Sequence, residues 1–102
     1  MLTPFQNKCI NRCKEFLKYF LGLDNVIFDE VAGKRESYCM TTINSAGHKI
    51  EIYVYSNEAG FYIADSREWW ICEEPDYDTD DELIQDFIAM LSREFEALHL
   101  NM

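Results

Sequence analysis

The apolar residues of this chain follow a helical period at both ends and a strand period between them. Phe5, Cys9, Cys13, Phe16, Leu17, Phe20 and Leu21 recur at three- and four-residue spacing, with Lys8, Arg12, Lys14, Glu15 and Lys18 mostly between them. That spacing predicts an amphipathic helix. Thr3-Pro4 supplies its start, a capping hydroxyl followed by a residue whose missing N–H costs nothing at the first helical position. Gly22 supplies its stop, in the left-handed conformation glycine adopts freely. Leu83, Ile84, Phe87, Ile88, Leu91, Phe95 and Leu98 form a second such stripe. It opens at Thr79-Asp80-Asp81-Glu82, a capping box whose carboxylates also face the positive end of the helix dipole.

Between the helices the period falls towards two. Lys49–Tyr55 alternates most cleanly, with Ile50, Ile52 and Val54 on one face and Glu51, Tyr53 and Tyr55 on the other. Val26–Val31, Ser37–Ile43, Phe61–Asp65 and Trp69–Glu73 read as further short strands. They are separated by the turn-like segments Ala32–Arg35, Asn44–His48 and Ser56–Gly60. Short strands on short loops imply an antiparallel meander.

The expected architecture is therefore α+β and two-layer: a four- to five-stranded antiparallel meander flanked by an N-terminal and a C-terminal helix. A length of 102 residues allows one such core, so residues 1–102 are expected to form a single domain. Both apolar helix stripes must be buried, and one face of the meander can bury them. If both helices take the Ile50, Ile52, Val54 face, then Tyr53 and Tyr55 are left outside with Tyr62, and Tyr38 and Met40 are candidates to join them. If one helix covers each face, these residues are core.

Charge narrows the partner. The formal net charge is -10, and residues 52–102 alone carry thirteen acidic and two basic side chains. Between Glu73 and Asp86 eight carboxylates occupy fourteen positions with no cation among them. Phosphate backbones and anionic membranes are bound by lysine and arginine, so nucleic acid and membrane are excluded as expected partners. No apolar run reaches the roughly 18 residues that span a bilayer. The start MLTPFQNKCINRC lacks a basic segment followed by an apolar one, so no signal peptide is expected and the location is read as cytoplasmic.

Catalytic and metal-binding patterns are weak. Cys9, Cys13, Cys39 and Cys72 offer one pair at knuckle-like spacing, and that pair lies mid-helix, which suits core thiols better than zinc. Asp76-x-Asp78-x-Asp80 begins like a calcium loop, but Asp81 stands where the turn needs glycine and Phe87 where a bidentate glutamate is needed. His48, in a loop, has no Cys or Ser partner nearby in sequence, and His99 reads as a helix-end cation. With no phosphate-binding glycine loop and no hydrolase or zinc-protease motif, the expectation is a protein that is no enzyme and holds neither metal nor cofactor.

Trp69-Trp70 next to Cys72-Glu73-Glu74 is the most pointed local feature. Neighbouring strand residues face opposite ways, so one ring can enter the core while the other stays outside. An aromatic anchor beside an acidic rim is the anatomy of a protein-binding hot spot. The expected contact surface comprises Glu73, Glu74, Asp76 and Asp78 as carboxylates, with Trp69 or Trp70 and Tyr77 as anchors. Tyr53 and Tyr55 provide a second aromatic face.

About 100 residues, strong acidity, an α+β pattern, many aromatics and no catalytic motif together give a chain that resembles small bacterial immunity proteins of the contact-dependent growth inhibition type. That resemblance implies a cytoplasmic protein, and a chain that ends soon after its second helix leaves little for a dimerisation element, so a free monomer is expected over a dimer. It would bind one cognate toxin domain, often a basic nuclease, and block its active site or substrate path. The alternative is a secretion chaperone that holds an effector segment, and such chaperones are normally dimers.

The cysteine reading has a direct check. Thiol titration of the denatured, unreduced protein is expected to find all four cysteines free, whereas two or none, or stoichiometric zinc, would overturn it.

Overall fold

The computed structural model describes residues 2–22, 26–30, 38–43, 49–63 and 68–97. Helix α1 spans Pro4–Leu21. Strands β1 (Asp29–Glu30), β2 (Tyr38–Ile43), β3 (Lys49–Val54), β4 (Glu58–Ile63) and β5 (Glu68–Glu73) follow. A 3-10 turn over Glu74–Asp76 then leads into helix α2, Asp80–Ala97. The arrangement is α+β. The sheet is antiparallel throughout and its strands lie in chain order, β1-β2-β3-β4-β5.

Local chemistry sets the helix ends. Thr3 and Gln6 form a reciprocal box: the Gln6 N–H donates to Thr3 Oγ1 at 3.1 Å, and the Thr3 N–H donates to Gln6 Oε1 at 2.9 Å. This explains a glutamine that is fully buried at the edge of the core. Its amide satisfies an orphan helix-start donor, so burial leaves nothing unpaired. Gly22 caps the other end at φ 67°. In α2 the Glu82 N–H donates to Thr79 Oγ1 at 3.2 Å, which places the cap at the expected threonine.

Pairing rows across β3, β4 and β5 set the core. Ile52 faces Phe61, which faces Trp70, and Val54 faces Ala59, which faces Cys72. Ile50, Ile52, Val54, Ala59, Phe61, Ile63 and Cys72 are buried together with Phe5, Cys9, Ile10, Cys13 and Leu17 of α1 and Leu83, Ile84, Phe87, Leu91 and Phe95 of α2. Helix α1 touches α2 and β3, and α2 touches β4 and β5. Burial of each large apolar side chain contributes about 1.5–3 kcal/mol.

Several elements differ from the sequence reading. Ser56–Gly60 is not one loop. The β3–β4 hairpin closes at once, with the Tyr55 N–H donating to the Glu58 carbonyl at 2.8 Å, so Glu58, Ala59 and Gly60 already belong to β4. These residues are poor strand formers in isolation, and pairing with strands on both sides overrides that preference. Of Val26–Val31 only Asp29–Glu30 is strand among the described residues, while Val26 and Phe28 pack against the core. Strand β4 ends at Ile63, with Ala64 and Asp65 outside the described residues, and β5 begins one residue early at Glu68. The acidic segment after β5 is partly ordered as the 3-10 turn rather than a plain loop. Ile10 joins the α1 stripe, whereas Leu98 lies outside the described residues. Tyr38 pairs with Val54 and Met40 with Ile52, so their register positions are those of Val54 and Ile52 rather than that of Tyr53.

Removing either cap hydroxyl, Thr3→Ala or Thr79→Ala, is expected to lower unfolding free energy by about 1 kcal/mol in denaturant titration. The Thr3 change is expected to be the larger because the Gln6 backbone N–H it leaves unpaired belongs to a buried residue, whereas the Thr79 cap is exposed. An unchanged midpoint for both would show that the helix ends are held by something else.

Candidate interaction surface

Residues that alternate with the buried rows form the opposite side of the sheet. Glu51 faces Tyr62, which faces Trp69, and Tyr53 faces Gly60, which faces Ile71. Rings from three strands meet here. Tyr62 stacks on Trp69 with centroids 4.9 Å apart, Tyr53 lies 5.3 Å from Trp69, and Tyr53 stacks on Tyr55 at 6.2 Å.

Gly60 makes this convergence possible. Its backbone is not left-handed; its role is to be absent as a side chain. A Cβ there would lie 3.0 Å from the Trp70 carbonyl oxygen and 3.2 Å from Ile71 Cγ1. A side chain at Gly60 would therefore press on β5, and glycine lets the two strands pair there without that contact.

Trp69 is 52% exposed and Ile71 49% exposed. Trp70 goes the other way: it is only partly exposed and stacks on Phe61 at 4.8 Å and 6°. The two tryptophans therefore divide as alternation requires, with Trp69 outside and Trp70 against the core.

The surface has an acidic border. Tyr53 donates its hydroxyl to Glu51 at 2.6 Å, and Lys49 pairs with Glu51 at 3.2 Å, so that carboxylate is already committed. Glu58 and Glu73 face each other across β4 and β5, and among the described residues no cation pairs with either. Like charges placed opposite in a sheet are unfavourable. Glu73, Glu74, Asp76 and Asp78 are all exposed. The Glu74 N–H donates to the Asn57 carbonyl at 3.0 Å, which ties the acidic turn to the β3–β4 hairpin and so to the edge of the aromatic face.

Tyr77 is placed differently from an open anchor. It packs against the core, and its hydroxyl donates to Asp86 Oδ2 of α2. That bond, with further contributions from Cys72 and burial, raises the phenol well above its usual range. Tyr77 thus pins the acidic turn to α2. Asp86, counted in sequence as part of the acidic run, is its acceptor.

The buried thiols Cys9, Cys13 and Cys72 are free. Cys13 is raised by its hydrogen bond with Cys9 and by burial, and Cys72 chiefly by burial, so both stay protonated. Cys72 donates to the Met90 thioether at 3.4 Å. Among the described residues no group of three or more His, Cys, Asp or Glu is placed to hold a metal ion. A shallow depression between the helices is lined by Lys8, Asn11, Arg12, Asp81 and Ile84, with Lys8 paired to Asp81 at 3.5 Å. Among the described residues no helix is long and apolar enough to cross a membrane.

The structure thus brings Tyr53, Tyr55, Trp69 and Glu73 onto or beside one face, with Glu74, Asp76 and Asp78 next along the chain. It sets Trp70 and Tyr77 into packing roles. Sequence reading passed over Ile71 and the Glu58–Glu73 pair. Ile71 alternates with Trp69 and could have been found that way; Glu58 was hidden by its assignment to a loop. Comparison with protein-family models, curated proteins and solved structures finds no match to this chain.

Tyr77→Phe is expected to cost about 1 kcal/mol from neutral pH to about pH 10, read by denaturant titration. A phenol whose folded value is raised stabilises the fold below its unfolded value, and that contribution is lost as pH rises through the folded one. The wild-type advantage over Tyr77→Phe should therefore hold up to about pH 10 and shrink above it. A difference that is absent at neutral pH would show that the hydroxyl does not hold the turn.

Proposed function

We propose that this protein is an immunity protein that binds and neutralises a cognate toxin domain, a basic nuclease being the class that fits best. In this reading the fold is two-layer. Both helices cover the inner face of a five-stranded meander, and the outer face is left for the partner. The observation that carries the proposal is the continuity of the exposed Trp69–Ile71 patch and its tyrosines with carboxylates that have no cation partner among the described residues. A nuclease must present lysine and arginine to hold a phosphate backbone, and a -10 protein can occupy that surface in place of nucleic acid. The protein itself performs no chemistry, needs no cofactor, acts in the cytoplasm and is monomeric until it meets its partner.

Magnitudes divide the labour within the surface. Covering the open half of a tryptophan of roughly 250 Å² releases about 3 kcal/mol at most. A single exposed ion pair contributes about 1 kcal/mol or less. Trp69 therefore supplies affinity, while Glu58, Glu73, Glu74, Asp76 and Asp78 supply encounter rate and orientation.

The test is co-expression with the product of the adjacent upstream gene, followed by stopped-flow association of the purified pair. Association is expected to slow steeply with ionic strength. Charge reversal at Glu73, Glu74 and Asp76 should mainly slow association, and Trp69→Ala should mainly speed dissociation, costing about 2 kcal/mol or more. Trp70→Ala is expected to lower stability instead. A complex whose rate ignores salt, or that tolerates every one of these changes, would move the site away from this surface.

A further inference from the structure

Strand β5 is the last strand of the sheet, and the hydrogen-bond register shows which of its backbone groups are spent. The Glu74 N–H donates to the Asn57 carbonyl. Glu74 and Asn57 sit one step beyond the Glu58–Glu73 pair in the same register. Antiparallel pairs alternate between bonded and non-bonded types. Bonding at Asn57–Glu74 therefore makes Ala59–Cys72 and Phe61–Trp70 bonded pairs. The other side of β4 agrees: Tyr55 bonds Glu58, so Glu58, Gly60 and Tyr62 turn their backbone groups to β3 and leave Ala59, Phe61 and Ile63 for β5. It follows that the N–H and C=O groups of Trp69, Ile71 and Glu73 point away from β4, and among the described residues none has a partner.

These three residues also carry the exposed side chains of the strand. Trp69 and Ile71 are half open, and Glu73 is exposed. Tyr62, with neighbours on both sides, is more covered than Trp69, which has a neighbour on one side only. A long apolar edge is normally blunted by lysine, proline or a bulge. Among the described residues β5 has none of these; its neighbour Pro75 lies beyond it in the 3-10 turn. The edge lacks one strand, and the side-chain exposure is where that strand would lie.

We propose that β5 is a strand-addition site, and that its occupant is an extended cationic segment of the partner protein, paired through the backbones of Trp69, Ile71 and Glu73. This rests on the reading of the partner as basic. Charge selects the occupant: a second copy would bring another -10 against an edge that ends in Glu73, Glu74 and Asp76, whereas a segment bearing lysine or arginine meets those carboxylates favourably. Main-chain bonds supply affinity, and alternate side chains lying beside Trp69 and Ile71 supply specificity.

The probe is the blocked heptapeptide of alternating lysine and valine, lysine at both ends, with its glutamate counterpart as control. Amide exchange of the full chain is followed by NMR. The lysine peptide is expected to slow exchange at Trp69, Ile71 and Glu73 by about tenfold or more and to leave Trp70 and Cys72, already bonded to β4, little changed. Ile71→Pro removes an outward N–H without touching the β4 ladder. It should weaken peptide binding by about tenfold relative to Ile71→Val, with circular dichroism showing the fold kept. If Ile71→Pro unfolds, the wild-type exchange pattern decides alone. Peptide bound without protection at the three amides, or no binding at millimolar concentration, overturns strand addition. Concentration-dependent protection in the protein alone makes a second copy the occupant and overturns the cationic one. None of these results touches the toxin reading, which stands or falls on co-purification and salt-dependent association. Conversely, a protected edge with no toxin partner would sink that reading alone.

Discussion

The register of β3, β4 and β5 is the constraint on which the rest depends. The hairpin that closes at Tyr55–Glu58 fixes which residues of β4 oppose those of β3. A slip of one residue would send every side chain to the other face. It would expose Phe61 and Ile63, which are fully buried, and push Tyr62 into the core. The same register determines both sides of the sheet. The row Ile52, Phe61, Trp70 packs with the buried residues of α1 and α2, and the rows holding Tyr53, Tyr62, Trp69 and Ile71 carry the side chains that alternate with it. Core and surface are two readings of one set of hydrogen bonds.

Helix positions were legible because their signals are local. Thr3-Pro4, Gly22 and Thr79 each act within a few residues, and each sits where a cap should. Alternation in Lys49–Tyr55 was legible for the same reason. What stayed hidden depends on partners distant in sequence. Gly60 resembles a turn glycine, yet it sits within β4, where a Cβ would crowd the Trp70 carbonyl and Ile71 of β5. Strand rules require Trp69 and Trp70 to diverge, but only pairing with Tyr62 and Phe61 decides which goes outward. Tyr77 looked like a free aromatic in an acidic loop until α2 brought Asp86 to its hydroxyl. Gln6 breaks the apolar stripe and is buried all the same, because the cap satisfies its amide.

The acidic run separates into parts with different duties. Asp80, Asp81 and Glu82 sit in the first turn of α2, where the helix dipole favours them. Asp86 accepts from Tyr77. Glu74 and Asp76 lie in a turn held by the Asn57 carbonyl and by Tyr77. Glu73 is placed against a carboxylate outside the run, Glu58 of β4, and among the described residues no cation pairs with either. Unpaired charge at the border of an aromatic patch is costly to the free protein and useful to a complex, since a partner's cation relieves the repulsion as it docks.

Solubility and recognition then share one solution. An unblunted edge strand bearing Trp69 and Ile71 invites self-association, and the usual safeguards of lysine or proline within the strand are missing from β5. Charge takes over that duty at longer range. Two copies approaching edge to edge bring their acidic borders together within a Debye length of about 8 Å, where the repulsion is little screened. The same field attracts a basic segment. A lysine in the strand would have guarded the edge against basic segments and favoured acidic ones. Carboxylates beside it protect selectively, leaving the backbone groups of Trp69, Ile71 and Glu73 open to a chain of opposite charge.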